Sequence, residues 1–169
     1  GKEVARRLDG FDCRVMAHDV VLDEEFARRH GIQTAGLAEI LAAADIISLH
    51  VPALPETQNM VDRAFLAYMK PGAYLVNTAR GELIDETALL EALESGHLRG
   101  AALDAFQLEP PGVDNPLLAL PQLIATPHMG SHTDGATDAK GWMALDDCLA
   151  VLLGQEPAYA VELPEKQST

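Results

Sequence analysis

Aromatic side chains are scarce. Phe, Tyr and Trp make up 5% of the 169 residues, with a single Trp. Aliphatic side chains must therefore build the core, and a hydrophobic content of 48% lies within the range of globular domains. Basic residues are also few: 12 Lys and Arg stand against 26 Asp and Glu, a formal charge of −14. Such a surface repels phosphate backbones and anionic lipids, which argues against nucleic acid or a membrane as a partner. No apolar run approaches the roughly 18 residues that a membrane span needs, and no signal peptide opens the chain. There are only two cysteines, Cys13 and Cys148, in no metal-like spacing. They are expected to be reduced, buried thiols in a cytoplasmic protein, and no metal site is expected. The first residue is Gly, not Met, so the N-terminus reads as a cut or a missing segment.

Short apolar runs alternate with helical patterns along the chain. Strands are expected at 14–18, 32–34, 46–50, 73–77, 101–104 and 123–126. Helices are expected at 1–8, 23–30, 37–44, 63–69, 85–95 and 133–153, with Asp23 as an N-cap and Gly96 closing the fifth. The strands carry continuous apolar residues, the mark of strands covered on both faces in a parallel sheet. Strands alternating with helices imply βαβ units and an α/β, Rossmann-type doubly wound parallel sheet. Residues 1–154 read as one domain, and 155–169, rich in Pro and Glu, as a tail.

In such folds ligands sit beyond the carboxyl ends of the strands. The residues there are Asp19, His50, the Asn77–Arg80 segment, Asp104 and His128. A dinucleotide fold also needs a glycine-rich turn after its first strand. Gly1 opens a helix and precedes Asp19 by 19 − 1 = 18 residues, close to the spacing between that turn and a ribose-binding carboxylate. Gly1 is read as the last glycine of a G-x-G-x-x-G loop whose earlier glycines, and the strand before them, are not in this sequence. Asp19 is read as the ligand of the adenosine ribose hydroxyls. A carboxylate there repels a 2′-phosphate, so NAD is expected over NADP.

Three segments carry a closer likeness: KPGAYLVNTARG at 70–81, GAALDAFQLEP at 100–110 and TPHMGS at 126–131. IISLHVPALPET at 46–57 fits with them. Together and in order, they closely resemble the signature segments of the D-isomer-specific 2-hydroxyacid dehydrogenases, over nearly the whole chain. The resemblance implies an NAD-dependent oxidoreductase acting on a small D-2-hydroxy acid or its 2-oxo acid, of the phosphoglycerate, glyoxylate or hydroxypyruvate type. Such chemistry needs a cation for the substrate carboxylate and a group that moves the hydroxyl proton. Arg80 matches the substrate-binding arginine, whose planar fork suits a carboxylate better than Lys would. His128 matches the acid/base, and Glu109 the carboxylate that orients it. Asp104 resembles the aspartate near the nicotinamide carboxamide. Cofactor contacts are expected from Gly1, Asp19, His50, Val51, Pro52, Thr78, Ala79, Arg80, Asp104, His128, Gly130 and Ser131.

The resemblance also implies a homodimer formed through this domain, and a separate substrate domain that this chain does not contain. The isolated 169-residue chain is therefore expected to have little or no dehydrogenase activity. A purified fragment with a kcat near that of longer relatives would refute this. Formate and phosphite dehydrogenases are alternatives; formate enzymes would carry Gln, not Glu, beside the histidine. An NAD-sensing corepressor would keep the same Arg, Glu and His.

Overall fold

A computed structural model of the protein describes residues 1–160. The chain divides into two compact units, one comprising residues 1–128 and the other beginning at Met129. In the first unit the elements run α1 (Lys2–Leu8), β1 (Met16–Ala17), α2 (Glu24–Arg29), β2 (Gln33–Thr34), α3 (Leu37–Ala43), β3 (Ile46–Leu49), α4 (Arg63–Tyr68), β4 (Tyr74–Asn77), α5 (Glu86–Glu94), β5 (Gly100–Leu103) and β6 (Leu123–Ala125). Two 3₁₀ turns, Gly81–Leu83 and Pro116–Ala119, were not anticipated. The expected helices and strands otherwise appear, with ends that differ by no more than two residues. Asp23, Asp62 and Asp85 each accept backbone N–H groups at the starts of α2, α4 and α5.

All strand pairs are parallel. β3, β4, β5 and β6 lie side by side in that order, while β1 and β2 form a separate pair. Chain order and sheet order coincide in the larger sheet, as βαβ crossovers on a parallel sheet require. Among the described residues no strand pairing joins β1 to β3.

One core cluster joins Leu41 of α3, Ile47 and Leu49 of β3, Phe65 and Leu66 of α4, Leu75 of β4, Leu89 and Leu93 of α5, and Leu103 of β5. The helices thus cover one face of the larger sheet. The expectation of strands buried on both faces holds for β5, which exposes no residue, but not for β3, β4 and β6. Burial alternates along β3 and β4, and Ile46, Tyr74 and Ile124 stand exposed on the other side. Their apolar character allows for a cover that α1, which buries none of its residues, does not provide.

The second unit holds α6 (Asp134–Leu152), which Thr133 caps by accepting the Ala136 N–H. Gly154, with φ +71°, ends the helix and turns the chain back. Asp147 then accepts the N–H groups of Ala158 and Tyr159, so the start of the expected tail is held along the helix. The rest of that tail, 161–169, lies outside the described residues. α6 buries none of its residues, and Trp142 on it is 65% exposed. The cysteines correct another expectation. Both are unpaired but exposed: Cys13 lies in the loop before β1, and Cys148 on the unburied α6.

One-sided burial has a measurable consequence in the 169-residue chain. Leu75→Ala, at a fully buried position, is expected to cost about 2–5 kcal/mol. Ile46→Ser, on the open face, should stay within about 0.5 kcal/mol. Urea denaturation measures both, and equal losses would contradict the one-sided core.

Candidate active site

The larger sheet presents its functional residues where its strands end. Past β3 the chain runs through His50, Val51 and Pro52; past β4, through Thr78 and Ala79 to Arg80. Together with Gly1, Ala53 and Glu82, these residues line an open cleft of about 570 Å³. Its walls are largely apolar, with Arg80 the one cation among the lining residues. His50 Nε2 lies 3.0 Å from Ser48 Oγ, and burial pulls its imidazole below the ordinary histidine range.

Arg80 owes its place to Asn77, which the sequence placed at the strand end without giving it a role. Asn77 ends β4 and is fully buried. Its Nδ2 donates to the Arg80 carbonyl at 2.7 Å, and its Oδ1 accepts the Ala79 N–H at 3.0 Å. A buried amide left unpaired is costly, so these bonds lock the turn that carries Arg80. The signal was available: a polar residue closing an apolar strand needs partners. Among the described residues the guanidinium has no carboxylate partner; Nη1 donates only to the neighbouring Ala79 carbonyl. Its fork is not consumed by a surface ion pair.

Gly81, the next residue, is a second feature the sequence did not single out. A Cβ there would lie 2.0 Å from the Phe106 carbonyl carbon and 2.5 Å from the Gln107 nitrogen. No side chain fits, so the backbone beyond β5 packs directly on the backbone beyond β4. Gly1 is different: a Cβ there would meet nothing nearer than His50 at 3.6 Å, an ordinary contact.

The segment past β5 carries Asp104 and Glu109. Asp104 is 7% exposed, and its Oδ1 accepts the Thr126 hydroxyl at 2.5 Å. Glu109 accepts the Phe106 N–H through Oε1 at 3.0 Å, and its Oε2 lies 2.7 Å from His128 Nδ1. An ionised carboxylate can only accept, so Nδ1 carries the hydrogen and Nε2 is the atom left to exchange a proton. His128 has φ 50°, a left-handed turn that follows β6. The His128 hydrogen bond, then the Phe106 N–H, hold the Glu109 carboxyl below its usual range, while the Asp104 charge opposes them weakly.

Within the first unit, Asp19 stands apart from the Arg80 turn and the Glu109–His128 pair. Asp19 is exposed beyond β1, and its Oδ1 accepts the Val21 N–H at 3.1 Å, closing a local turn. Gly130 and Ser131 belong to the second unit, where Lys140 Nζ lies 3.2 Å from Ser131 Oγ. Among the described residues no group of His, Cys, Asp and Glu has the arrangement of a metal site.

A polar cluster at the carboxyl ends of parallel strands, with an Arg and a Glu–His pair, stands where open α/β folds bind their ligands. The comparisons specify the family. The model of the D-isomer specific 2-hydroxyacid dehydrogenase family, NAD binding domain, matches residues 1–130, and the chain belongs to this family. It is 42% identical over 164 residues to a D-3-phosphoglycerate dehydrogenase of Bacillus subtilis, covering 97% of this chain and 31% of the relative. It is 41% identical to one from Methanocaldococcus jannaschii, with the same coverage of both chains. A D-lactate dehydrogenase from Lactobacillus jensenii, solved with NAD⁺, superposes with a TM-score of 0.88 at 34% identity, covering 96% of this chain and 52% of that one. The chain thus spans about a third of the curated relatives' length and about half of the solved structure's. The fold is the Rossmann-type parallel α/β fold of these dehydrogenases.

The depressed Glu109 carboxyl supplies a test. A lowered carboxyl pKa favours the folded arrangement above the group's ordinary range, and that contribution is lost as pH falls through the lowered value. His128→Ala removes the largest cause, so the Glu109 midpoint, read from its carboxyl ¹³C shift, should rise. An unchanged midpoint would mean that the Glu109–His128 contact is not formed in solution.

Proposed function

We propose that the complete protein carrying this chain is an NAD-dependent oxidoreductase that interconverts a small D-2-hydroxy acid and its 2-oxo acid. The observation that carries this reading is the Glu109–His128 pair at 2.7 Å, an acid/base with its orienting carboxylate. Arg80 is the substrate cation: its two-pronged guanidinium holds the substrate carboxylate and draws charge toward the C2 oxygen. His128 Nε2 delivers a proton to that oxygen in reduction and removes it in oxidation. Glu109 is the positioning residue that keeps Nδ1 protonated and Nε2 available. The names of the curated relatives make D-3-phosphoglycerate the first substrate to try, followed by glyoxylate and hydroxypyruvate.

The residues fit NAD. The cleft wall formed by Val51, Pro52, Thr78 and Ala79 is mostly apolar, as suits a nicotinamide ring, and Asp104 is a buried acceptor at the end of the neighbouring strand. When bound, NAD supplies the acceptor or donor of the hydride. Asp19 would hold the ribose hydroxyls, Gly1 would belong to the phosphate-binding turn, and His50, Gly130 and Ser131 complete the expected cofactor contacts. The domain assigned to the cofactor takes in residues 1–154, with 155–169 leading out of it.

The exposed apolar side chains of α6, among them Trp142, Leu145 and Leu149, support a homodimer through this domain. The two free cysteines suit a cytoplasmic setting. No described helix is long and apolar enough to cross a membrane.

Three substitutions in the complete protein test the reading through NADH oxidation over a panel of 2-oxo acids. His128→Ala should lower kcat roughly 10²–10⁴-fold. Arg80→Lys should raise the KM of the oxo acid about tenfold or more, because an ammonium cannot grip both carboxylate oxygens. Asp19→Ala should narrow the preference for NADH over NADPH. A wild-type protein that turns over none of the panel would refute the assignment, as would a His128→Ala variant with an unaltered kcat.

A further inference from the structure

Gln107 lies between the two halves of the catalytic pair's support and takes no part in the chemistry described above. Its Nε2 donates to the Ile84 carbonyl at 2.6 Å and to Asn59 Oδ1 at 3.0 Å. Its backbone N–H donates to Glu86 Oε1 at 2.8 Å. Glu86 is the first residue of α5, and its other oxygen accepts from Asn115 Nδ2 at 3.0 Å. Asn59 is itself placed unusually, with φ 51°, and its N–H donates to the Glu82 carbonyl. The partners of Gln107 therefore all belong to, or bond to, the segment 82–86 that follows Arg80. The preceding residue, Phe106, gives its N–H to Glu109 and lays its carbonyl on Gly81.

The geometry points to Gln107 as a positioning residue: its side chain ties the Glu109-bearing loop to the Arg80-bearing turn, so that the substrate cation and the acid/base pair keep one spacing. This rests on the functional reading above. The physical argument concerns stiffness. Residues 104–109 form a loop past β5 with no secondary structure of their own, and a loop is rigid only where its polar groups are fixed. The contact at Gly81 sets how close the two backbones come, but a van der Waals contact leaves sliding free. Directional bonds to Ile84 and Asn59 remove that freedom. Glu86 pins the same residue from its backbone side. A catalytic group displaced by about 1 Å loses much of its effect, so such a tie reaches kcat without touching substrate.

The test is Gln107→Met in the complete protein, which keeps the side-chain length and removes both donors. Two readouts are taken. The first is the Glu109 carboxyl titration by ¹³C NMR, which needs no turnover. A loosened loop weakens the Phe106 N–H bond, so the midpoint should rise above that of the wild type. The second is steady-state reduction of hydroxypyruvate by NADH. kcat should fall and KM for hydroxypyruvate should rise, each about three- to tenfold, while the Kd of NADH stays within twofold. A role confined to stability would reduce the folded fraction and leave KM and the Glu109 midpoint unchanged; that result overturns the proposal. Gln107→Lys, which restores a donor toward both oxygens, should recover most of the KM change, and equal damage in both variants would also overturn it. If the wild type reduces no oxo acid, the functional reading fails, and the Glu109 midpoint still decides whether Gln107 fixes the loop.

Discussion

The site depends on one close approach, the backbone of Phe106 lying on Gly81. At that point two strand ends of a parallel sheet come closer than any side chain permits. Neighbouring strands alone set a spacing of about 4.8 Å, and the loops beyond them would ordinarily diverge. Here they are drawn together, and in the proposed function each carries half of the chemistry. Arg80 precedes the contact on one chain segment and Glu109 follows it on the other. Asn77 locks the first segment from beneath, while Glu109 is tied to the backbone of Phe106 itself. The contact sets how close the two strand-end loops come, and the Gln107 bonds to Ile84 and Asn59 join them.

Burial follows the same logic. The helices α3, α4 and α5 cover one face of the sheet and build a core of aliphatic residues with little aromatic help. That core fixes the strands, and the strands fix the ends from which Arg80, Asp104 and His128 emerge. The electrostatics are local. The excess of acidic residues lies mostly on the surface, and the carboxylates that matter are individually paired: Asp104 with Thr126, Glu109 with His128. A net charge of −14 therefore coexists with an available cation at the cleft.

Much of this was legible in the sequence, for identifiable reasons. Apolar runs of four or five residues alternating with helical periods have few solutions other than a parallel α/β sheet. Arg80, Glu109 and His128 stood out because each follows a strand and because their segments resemble one family in order. What stayed hidden depends on three-dimensional packing. Nothing local distinguishes Gly81, which sterics require, from Gly1, which has ordinary room here. Asn77 resembled an ordinary strand end until its buried bonds were visible. The open second face of the sheet was also hidden, since Ile46 and Ile124 are as apolar as the residues the core buries. The cysteines misled because a small apolar side chain says nothing about whether the loop or helix that carries it is covered.

The central claim is that Arg80, Glu109 and His128 serve the oxidation of a 2-hydroxy acid of one hand. The most direct measurement is NADH formation by the complete protein when NAD is supplied with the separate D and L forms of 2-hydroxy acids, beginning with 3-phosphoglycerate and lactate. The account predicts NADH from at least one D acid and none from its L partner. NADH from neither form of any acid, or equal rates from both, would contradict it.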